Sequence, residues 1–551
     1  MTNRQYSKEL TYFIRNVRYM AAVTSMAFLC FGYSAVHVTI GGDTLIGDVY
    51  LGEGNAMLAA GRFGMVLWAK LLGYKNAEPF YQSAIVVLSV AMLILAAIHF
   101  CMLLRRICAE RISLLGYGLF SCAFISYPLM NEIWQYPGAN SAVCGGYLLV
   151  AGALYGMCAF FEKEEVFSKR KLIRMVAISL LLMVVCSGYE SLAVVYVFGV
   201  FMVLFLEQLV GAKRSLRKVI RRGIFFAVPL VAGVILRLLV HRALLLALGL
   251  TAAQNGDTAI LWGTEPVFDT LWNVIRGCGF MYGLRAFVYL PITELVLAVL
   301  AFMVLLVGAT VKKRDPLLLL TGAGMMVSLV LLAILQGKHT AYRTCQVFAV
   351  MVAFSVMALY ETVRRWPKDG KVVPGVVGAL LAVVCIHQGV YLNHLLVLDN
   401  LRSEEEAHVV RTIGTDLLRS CDTSKPIILT GEYELSDWMQ EETTARLQDY
   451  PIYQWVIQKI GGEDTLKIQD GDKFVQTNVN SFLSKVAAYS PTERQRLFQY
   501  YGFDFSFSTS AENARKAEEY VKDHNVPGYP RDGYITESED WIIVNLSAQE
   551  Q

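Results

Sequence analysis

The residues that could do chemistry lie between the chain's apolar runs. The first such stretch reads His37-Val-Thr-Ile-Gly-Gly-Asp43-Thr-Leu-Ile-Gly-Asp48, and it continues to Glu53 and to Gly61-Arg62-Phe63-Gly64. A carboxylate at a membrane edge can take the proton of a sugar hydroxyl as general base, which makes Asp43 and Asp48 the first candidates. The competing reading makes them helix caps or solvated loop residues. The two could also ligate a divalent cation, although two carboxylates are a weak signal for such a site. The next polar stretch, Tyr127-Pro-Leu-Met-Asn131-Glu132-Ile-Trp134-Gln135-Tyr136-Pro137, sets one acid among aromatic rings. Charged groups at membrane depth are paired or functional more often than not. The alternative is an aromatic belt with an incidental Glu132. Trp134 or Tyr136 could stack on a sugar face. A third stretch carries Tyr189 and Glu190.

Basic residues facing these acids are few: Arg276, Arg285, Lys338, His339 and Arg343, with Arg237 inside an apolar run. An anion such as a lipid phosphate needs partners of this kind, and Arg offers it a two-pronged donor fork. Snorkelling to lipid headgroups is the alternative. It weighs least on Arg343, which opens a run beside Thr340 and Tyr342.

The elements that must position these residues follow from composition. Of 551 residues, 55 % are hydrophobic and 17 % charged, with a mean hydropathy of +0.45. The apolar excess falls in long runs that stop near residue 397. That pattern excludes a soluble globular enzyme and a disordered chain, and it predicts a multi-pass α-helical membrane protein. Eleven spans are expected, near 19–40, 80–104, 113–128, 139–161, 174–188, 190–209, 223–250, 284–310, 316–336, 343–361 and 373–396. The pair at 174–209 could also be one interrupted helix. The apolar stretch 55–73 carries Arg62 and Lys70 and suits a helix lying in the interface.

Lys and Arg recur in alternate loops: Arg105, Arg106 and Arg111; Lys163 to Arg174; Lys213 to Arg222; Lys312 to Arg314; Arg364 to Lys371. With Arg4, Lys8, Arg15 and Arg18 they place the N-terminus in the cytoplasm. All the acids above then lie outside, as does the tail. The tail, 398–551, is expected to be an extracytoplasmic soluble α/β domain, with strands at 426–430 and 541–546 and a helix at 511–524. The catalytic domain would be 1–397. The net charge of +3 and the lack of a long basic stretch exclude nucleic-acid binding. Eleven cysteines without a CxxC pair read as small core hydrophobes, and the eight histidines show no metal-binding spacing.

Taken in order, these residues resemble the GtrII family of membrane glucosyltransferases. That family has adjacent acids after its first span, where this chain reads Gly42-Asp43, and then a Gly-Arg, here Gly61-Arg62. An acid-Asn pair with an aromatic follows, matched by Asn131, Glu132 and Trp134. A Tyr-Gln corresponds to Tyr189-Glu190, and the Arg that opens a late span to Arg343. The tail, with Val526-Pro-Gly-Tyr529-Pro530, Gly533-Tyr534-Ile535 and a closing WIIVNL, looks like the end of Gram-positive members.

The resemblance implies a GT-C-like fold in the bacterial plasma membrane. It implies transfer of a hexose, glucose above all, from a polyprenyl-phosphate carrier to a surface polysaccharide or teichoic-acid-like acceptor. Asp43, Asp48 and Glu132 would form the catalytic group. Arg62, Trp134, Tyr136, Tyr189, Glu190, Lys338, His339 and Arg343 would bind substrate, with no metal assigned. A lipid-linked sugar flippase or a polysaccharide polymerase is the alternative. The flippase would need polar residues in mid-span, where Arg237 is the clear candidate, and the polymerase a large Arg-rich outer loop, whereas 251–283 carries essentially one, Arg276.

Overall fold

The computed structural model describes residues 3–40, 56–73, 79–134, 137–160, 169–211, 214–253, 260–278, 306–338, 342–365, 372–439, 444–446, 473–475, 483 and 491–547. Asp43, Asp48, Glu53, Tyr136, Arg285 and His339 lie outside them, as does 284–305 of one expected span.

The described residues divide into two compact units. One runs to His394 without 37–40 and 79–82; the other holds those two short segments and everything from Leu395 onward. The first unit is helical. Its long helices are α5 (Pro79–Cys108), α8 (Pro137–Phe160), α9 (Lys169–Gly188), α10 (Leu192–Val210), α11 (Leu216–Leu248), α15 (Val347–Arg364) and the first part of α16 (Val372–Ser420). These seven are long and apolar enough to cross a membrane. Three apolar helices are shorter: α2 (Val17–Phe31), α6 (Leu114–Ile125) and α13 (Pro316–Leu329). The remaining helices are α1 (Asn3–Ile14), α3 (Ala56–Ala59), α4 (Phe63–Leu71), α7 (Met130–Trp134), α12 (Val267–Cys278) and α14 (Leu331–Gln336).

Three expectations are refined. The expected span 316–336 is broken at Val330, between α13 and α14. The segment 174–209 is two helices, because the chain leaves helical geometry at Tyr189-Glu190-Ser191. The expected single helix over 55–73 is broken by Gly61, whose φ of +77° ends α3 and turns the chain into α4. That turn is closed by Gly61 N–H donating to the Leu58 carbonyl at 3.0 Å and Arg62 N–H to the Met57 carbonyl at 2.8 Å.

α11 shows how an apolar helix can carry charge. Val231, Ile235, Leu238 and Leu239 are 51–60 % exposed, an outward apolar surface suited to lipid. Pro229 removes one backbone donor within the helix. One turn back, the Tyr196 hydroxyl donates to the Phe226 carbonyl at 2.9 Å. All eleven cysteines are free and most are buried.

In the second unit β1 (Ile427–Thr430), β4 (Ile535–Glu537) and β5 (Ile542–Asn545) form a sheet in the order β1-β5-β4. β1 and β5 run parallel with Ile427 opposite Ile542, whereas β4 and β5 are antiparallel. Alternate side chains point to opposite faces. Ile427, Leu429, Ile542 and Val544 pack with Val410, Ile413 and Leu417 of α16 and with Phe498 of α17 (Pro491–Tyr500). Ile428 and Ile543 pack on Ala517, Tyr520 and Val521 of α18 (Ala511–Asp523). A two-stranded ribbon pairs β2 (Thr444–Arg446) with β3 (Lys473–Val475).

Candidate functional site

The site is built in the helical unit from four segments that are far apart in sequence. The first is Gly61-Arg62 and α4. A Cβ on Gly64 would collide with Ser187 Oγ, so only glycine lets α4 lie flush against the end of α9. Trp68 Nε1 donates to Ser141 Oγ at 3.1 Å and ties α4 to α8. On the other side, a Cβ on Gly61 would stand 3.1 Å from Arg237 Nη2 and 3.2 Å from His241 Nδ1. The spacing of Arg237 and His241, four residues on one helix, puts both on the face of α11 turned to this glycine. His241 Nε2 lies 3.2 Å from the Ala59 carbonyl.

The second segment is the break between α9 and α10. The Arg62 guanidinium lies 5.5 Å from the centre of the Tyr189 ring, a cation–π contact. The neighbouring Glu190 carboxylate accepts from Arg237 Nη2 in an ion pair. Ser191 Oγ donates to the Gln346 side-chain oxygen, and the Gln346 amide donates to the Arg343 carbonyl. The Gln346 carbonyl in turn accepts from the Tyr147 hydroxyl at 2.7 Å. Buried Gln346 thus joins the third segment, the short 3-10 turn Tyr342–Thr344, to the second.

The fourth segment is α7, which packs on that same turn. All five of its residues are buried, with Asn131 0 % and Glu132 4 % exposed. Among the described residues, both amide atoms of Asn131 and the Trp134 Nε1 have no hydrogen-bond partner. Such buried polar atoms cost about 1–3 kcal/mol each. Trp134 stacks on Phe31 with ring centres 4.1 Å apart. That face of the indole is therefore occupied by Phe31. Lys338 follows a separate turn: Gly337, with φ +74°, is held against Thr270 and Trp262, and Trp262 Nε1 donates to the Ile334 carbonyl at 2.6 Å.

Of the residues expected to form a site, Arg62, Tyr189 and Glu190 thus share one neighbourhood. Through Gln346 they join the turn that holds Arg343 and the α7 segment that holds Glu132 and Trp134. Lys338 follows the separate turn at Gly337, and Asp43, Asp48, Tyr136 and His339 lie outside the described residues. Sequence reasoning did not single out His241, Gln346, Ser191 or Tyr147. An Arg and a His one turn apart within an apolar run were a signal, because uncompensated charge there costs about 3 kcal/mol.

Electrostatically, Glu190 balances one guanidinium. Among the described residues Arg62 has no carboxylate partner. No group of three or more His, Cys, Asp or Glu side chains that could hold a metal occurs among the described residues.

A family model described as Glucosyl transferase GtrII matches residues 32–360, more than half of the chain. That range contains every segment of the site and ends before the tail. No curated protein and no solved structure matches.

Proposed function

The chain belongs to the GtrII family of glucosyltransferases, and from that premise we propose that it is a GT-C-type enzyme of the bacterial plasma membrane. It moves a hexose, glucose above all, from a polyprenyl-phosphate carrier to a cell-surface polysaccharide or teichoic-acid-like acceptor on the outer face. The N-terminus is cytoplasmic, and the unit beyond residue 397 is an extracytoplasmic domain that holds the polymer. One observation supports this reading above the others. Gly61-Arg62, Tyr189-Glu190 and Arg343, separated by more than a hundred residues each, belong to one polar network in the helical unit.

In the reaction, Asp43 removes the proton of the acceptor hydroxyl. The oxygen attacks the anomeric carbon, the bond from that carbon to the phosphate oxygen breaks, and polyprenyl phosphate leaves as the anion. Asp48 and Glu132 complete the acidic group, and Arg343, with Arg62 or Lys338, stabilises the departing phosphate. Glu190, Tyr189, Trp134, Tyr136 and His339 contact the sugar and the acceptor. A divalent cation held by Asp43 and Asp48 is a variant of the same scheme, and chelation during turnover tests it.

The reading is tested in cells lacking the gene, by linkage analysis of their surface polysaccharide. Loss of one side-branch sugar, restored by the wild-type gene and not by an inserted Asp43→Asn protein, supports it. An unchanged polymer with altered lipid-linked precursors contradicts it in favour of a flippase.

A further inference from the structure

We propose that α12 is an in-plane membrane helix, whose outward apolar face of Phe268, Leu271, Trp272 and Ile275 sits among the lipids of one leaflet. This rests on the membrane-sized helices of the same unit and not on the donor reading above. α12 has three faces. Thr270 and Val274, one turn apart, are 0 % and 4 % exposed and hold the helix to its neighbours. Phe268, Leu271, Trp272 and Ile275 are spaced i, i+3, i+4 and i+7, so they form a single stripe. They are 84, 44, 60 and 54 % exposed, and the described residues leave that stripe uncovered. Asp269 and Asn273 form the third face, also exposed, where the Asn273 amide donates to the Glu265 carboxylate at 3.1 Å. One side thus meets protein and one suits water, while the stripe between them suits neither.

Length and place identify what covers the stripe. Over its 12 residues α12 rises about 18 Å, short of the about 30 Å of a bilayer's hydrocarbon core. It packs on α14. There the Leu261 N–H donates to the Gln336 carbonyl at 2.8 Å, and a Cβ on Gly337 would stand 2.7 Å from Thr270 Cγ2. α13 and α14 expose Leu319, Leu320, Val327 and Leu335 at 45–58 %, so α12 adds to a surface that is already apolar. An apolar stripe with a Trp in it, backed by a polar face, fits the boundary between headgroups and acyl chains. The bilayer around the long helices supplies that boundary, and no second protein is needed. Because Gly337 is seated on Thr270, the depth of α12 also sets the depth of the turn that carries Lys338.

The test uses the full-length protein reconstituted in vesicles of phosphatidylcholine and phosphatidylglycerol. A photoactivatable benzophenone side chain is placed in turn at Phe268, Trp272, Asp269 and Asn273, and the adducts are read by mass spectrometry. All four positions are exposed, so the labelled proteins should fold, and thermal unfolding checks that they do. The labels at Phe268 and Trp272 are expected to capture phospholipid at least about fivefold more often than those at Asp269 and Asn273. Trp272→Phe should also reduce the quenching of tryptophan fluorescence by brominated phospholipid. Equal capture at the four positions overturns the proposal. So does a covalent dimer, or a crosslink to the chain's own tail, in place of the lipid adduct. Loss of that adduct on adding farnesyl phosphate would give the stripe to the donor's chain and overturn the proposal as well. Sugar transfer is not the readout, so failure of the donor reading leaves the phospholipid adducts unchanged.

Discussion

Two clusters, one buried in the C-terminal unit and one half-buried in the helical unit, set arginine against carboxylates. In the C-terminal unit Arg402 is 1 % exposed and meets Asp399 Oδ1 at 3.1 Å and Glu406 Oε2 at 3.4 Å. It also donates to the Ile40 carbonyl at 3.1 Å, and Glu406 accepts from the Leu483 backbone N–H at 2.8 Å. Asn400 and Ser403 take the Val38 carbonyl and the Ile40 N–H. One cation there faces two acids, and the surrounding backbone is satisfied, as in a structural joint. In the helical unit Arg237 pairs with the one carboxylate, Glu190, and Arg62 faces the neighbouring Tyr189 ring. An Nε without an acceptor occurs in both clusters, so it does not separate them. The partners do: Arg402 meets both carboxylates and Glu406 also the Leu483 N–H, whereas among the described residues Arg62 meets only the Tyr189 ring. A cluster whose charges all meet opposite charge or a hydrogen bond holds a fold together, whereas one with a charge set only against a ring is available to a ligand.

The largest expected effect on stability comes from the closed cluster. Arg402→Met strands two buried carboxylates and should cost about 3–5 kcal/mol, read as earlier thermal unfolding and faster proteolysis of the tail. An unchanged tail would break the comparison. Gly61→Ala comes next. A side chain at φ +77° that also presses on Arg237 and His241 should cost about 1–3 kcal/mol and displace both. Sugar transfer should fall with it, whereas a stable, fully active variant would show that the glycine has no special task.

Arg237→Met should cost less than Arg402→Met, about 1 kcal/mol, because the Arg237–Glu190 pair is partly exposed where Arg402 is not. A loss equal to that of Arg402→Met would make the helical cluster another structural joint.

The smallest effect belongs to an ion pair in water. Lys425 Nζ meets Glu537 Oε1 at 2.7 Å. The hydrogen bond from Lys425, then that from the Asp422 backbone, holds the Glu537 carboxyl below its ordinary 4.5. Its contribution is therefore present above that pH and is lost as the pH falls through the lower folded-state value. Lys425→Ala should remove this slope and change stability near neutrality very little. A large change at neutral pH would show that exposure does not weaken the pair.

Much of the helical unit was legible because length and apolarity alone mark a membrane-sized helix. The break at Ser187 to Glu190 was visible as a polar interruption, although whether the helix truly ended there depended on packing. The strands over Ile427–Thr430 and Ile542–Asn545 stood out as short aliphatic runs in a polar tail. The end of α16 did not. Composition changes near residue 397, but the helix continues to Ser420, since its backbone bonds are indifferent to the change from apolar to charged side chains. Nor did the pairing of Arg237 with Glu190, 47 residues away, or the bridging of Ser191 and Arg343 by Gln346, because contacts between helices leave no local pattern. Gly61 was legible as part of a motif, but its reason, a left-handed turn beside two cationic side chains, needed three dimensions.

The most direct test of the account is sugar transfer by the purified full-length protein in lipid, with polyprenyl-phosphate glucose as donor and the cell-surface polymer as acceptor. The account predicts transfer that Asp43→Asn lowers by about 10²–10⁴-fold with the protein still folded and inserted. Wild-type transfer by the Asp43→Asn protein, or transfer only from a nucleotide sugar, would contradict it.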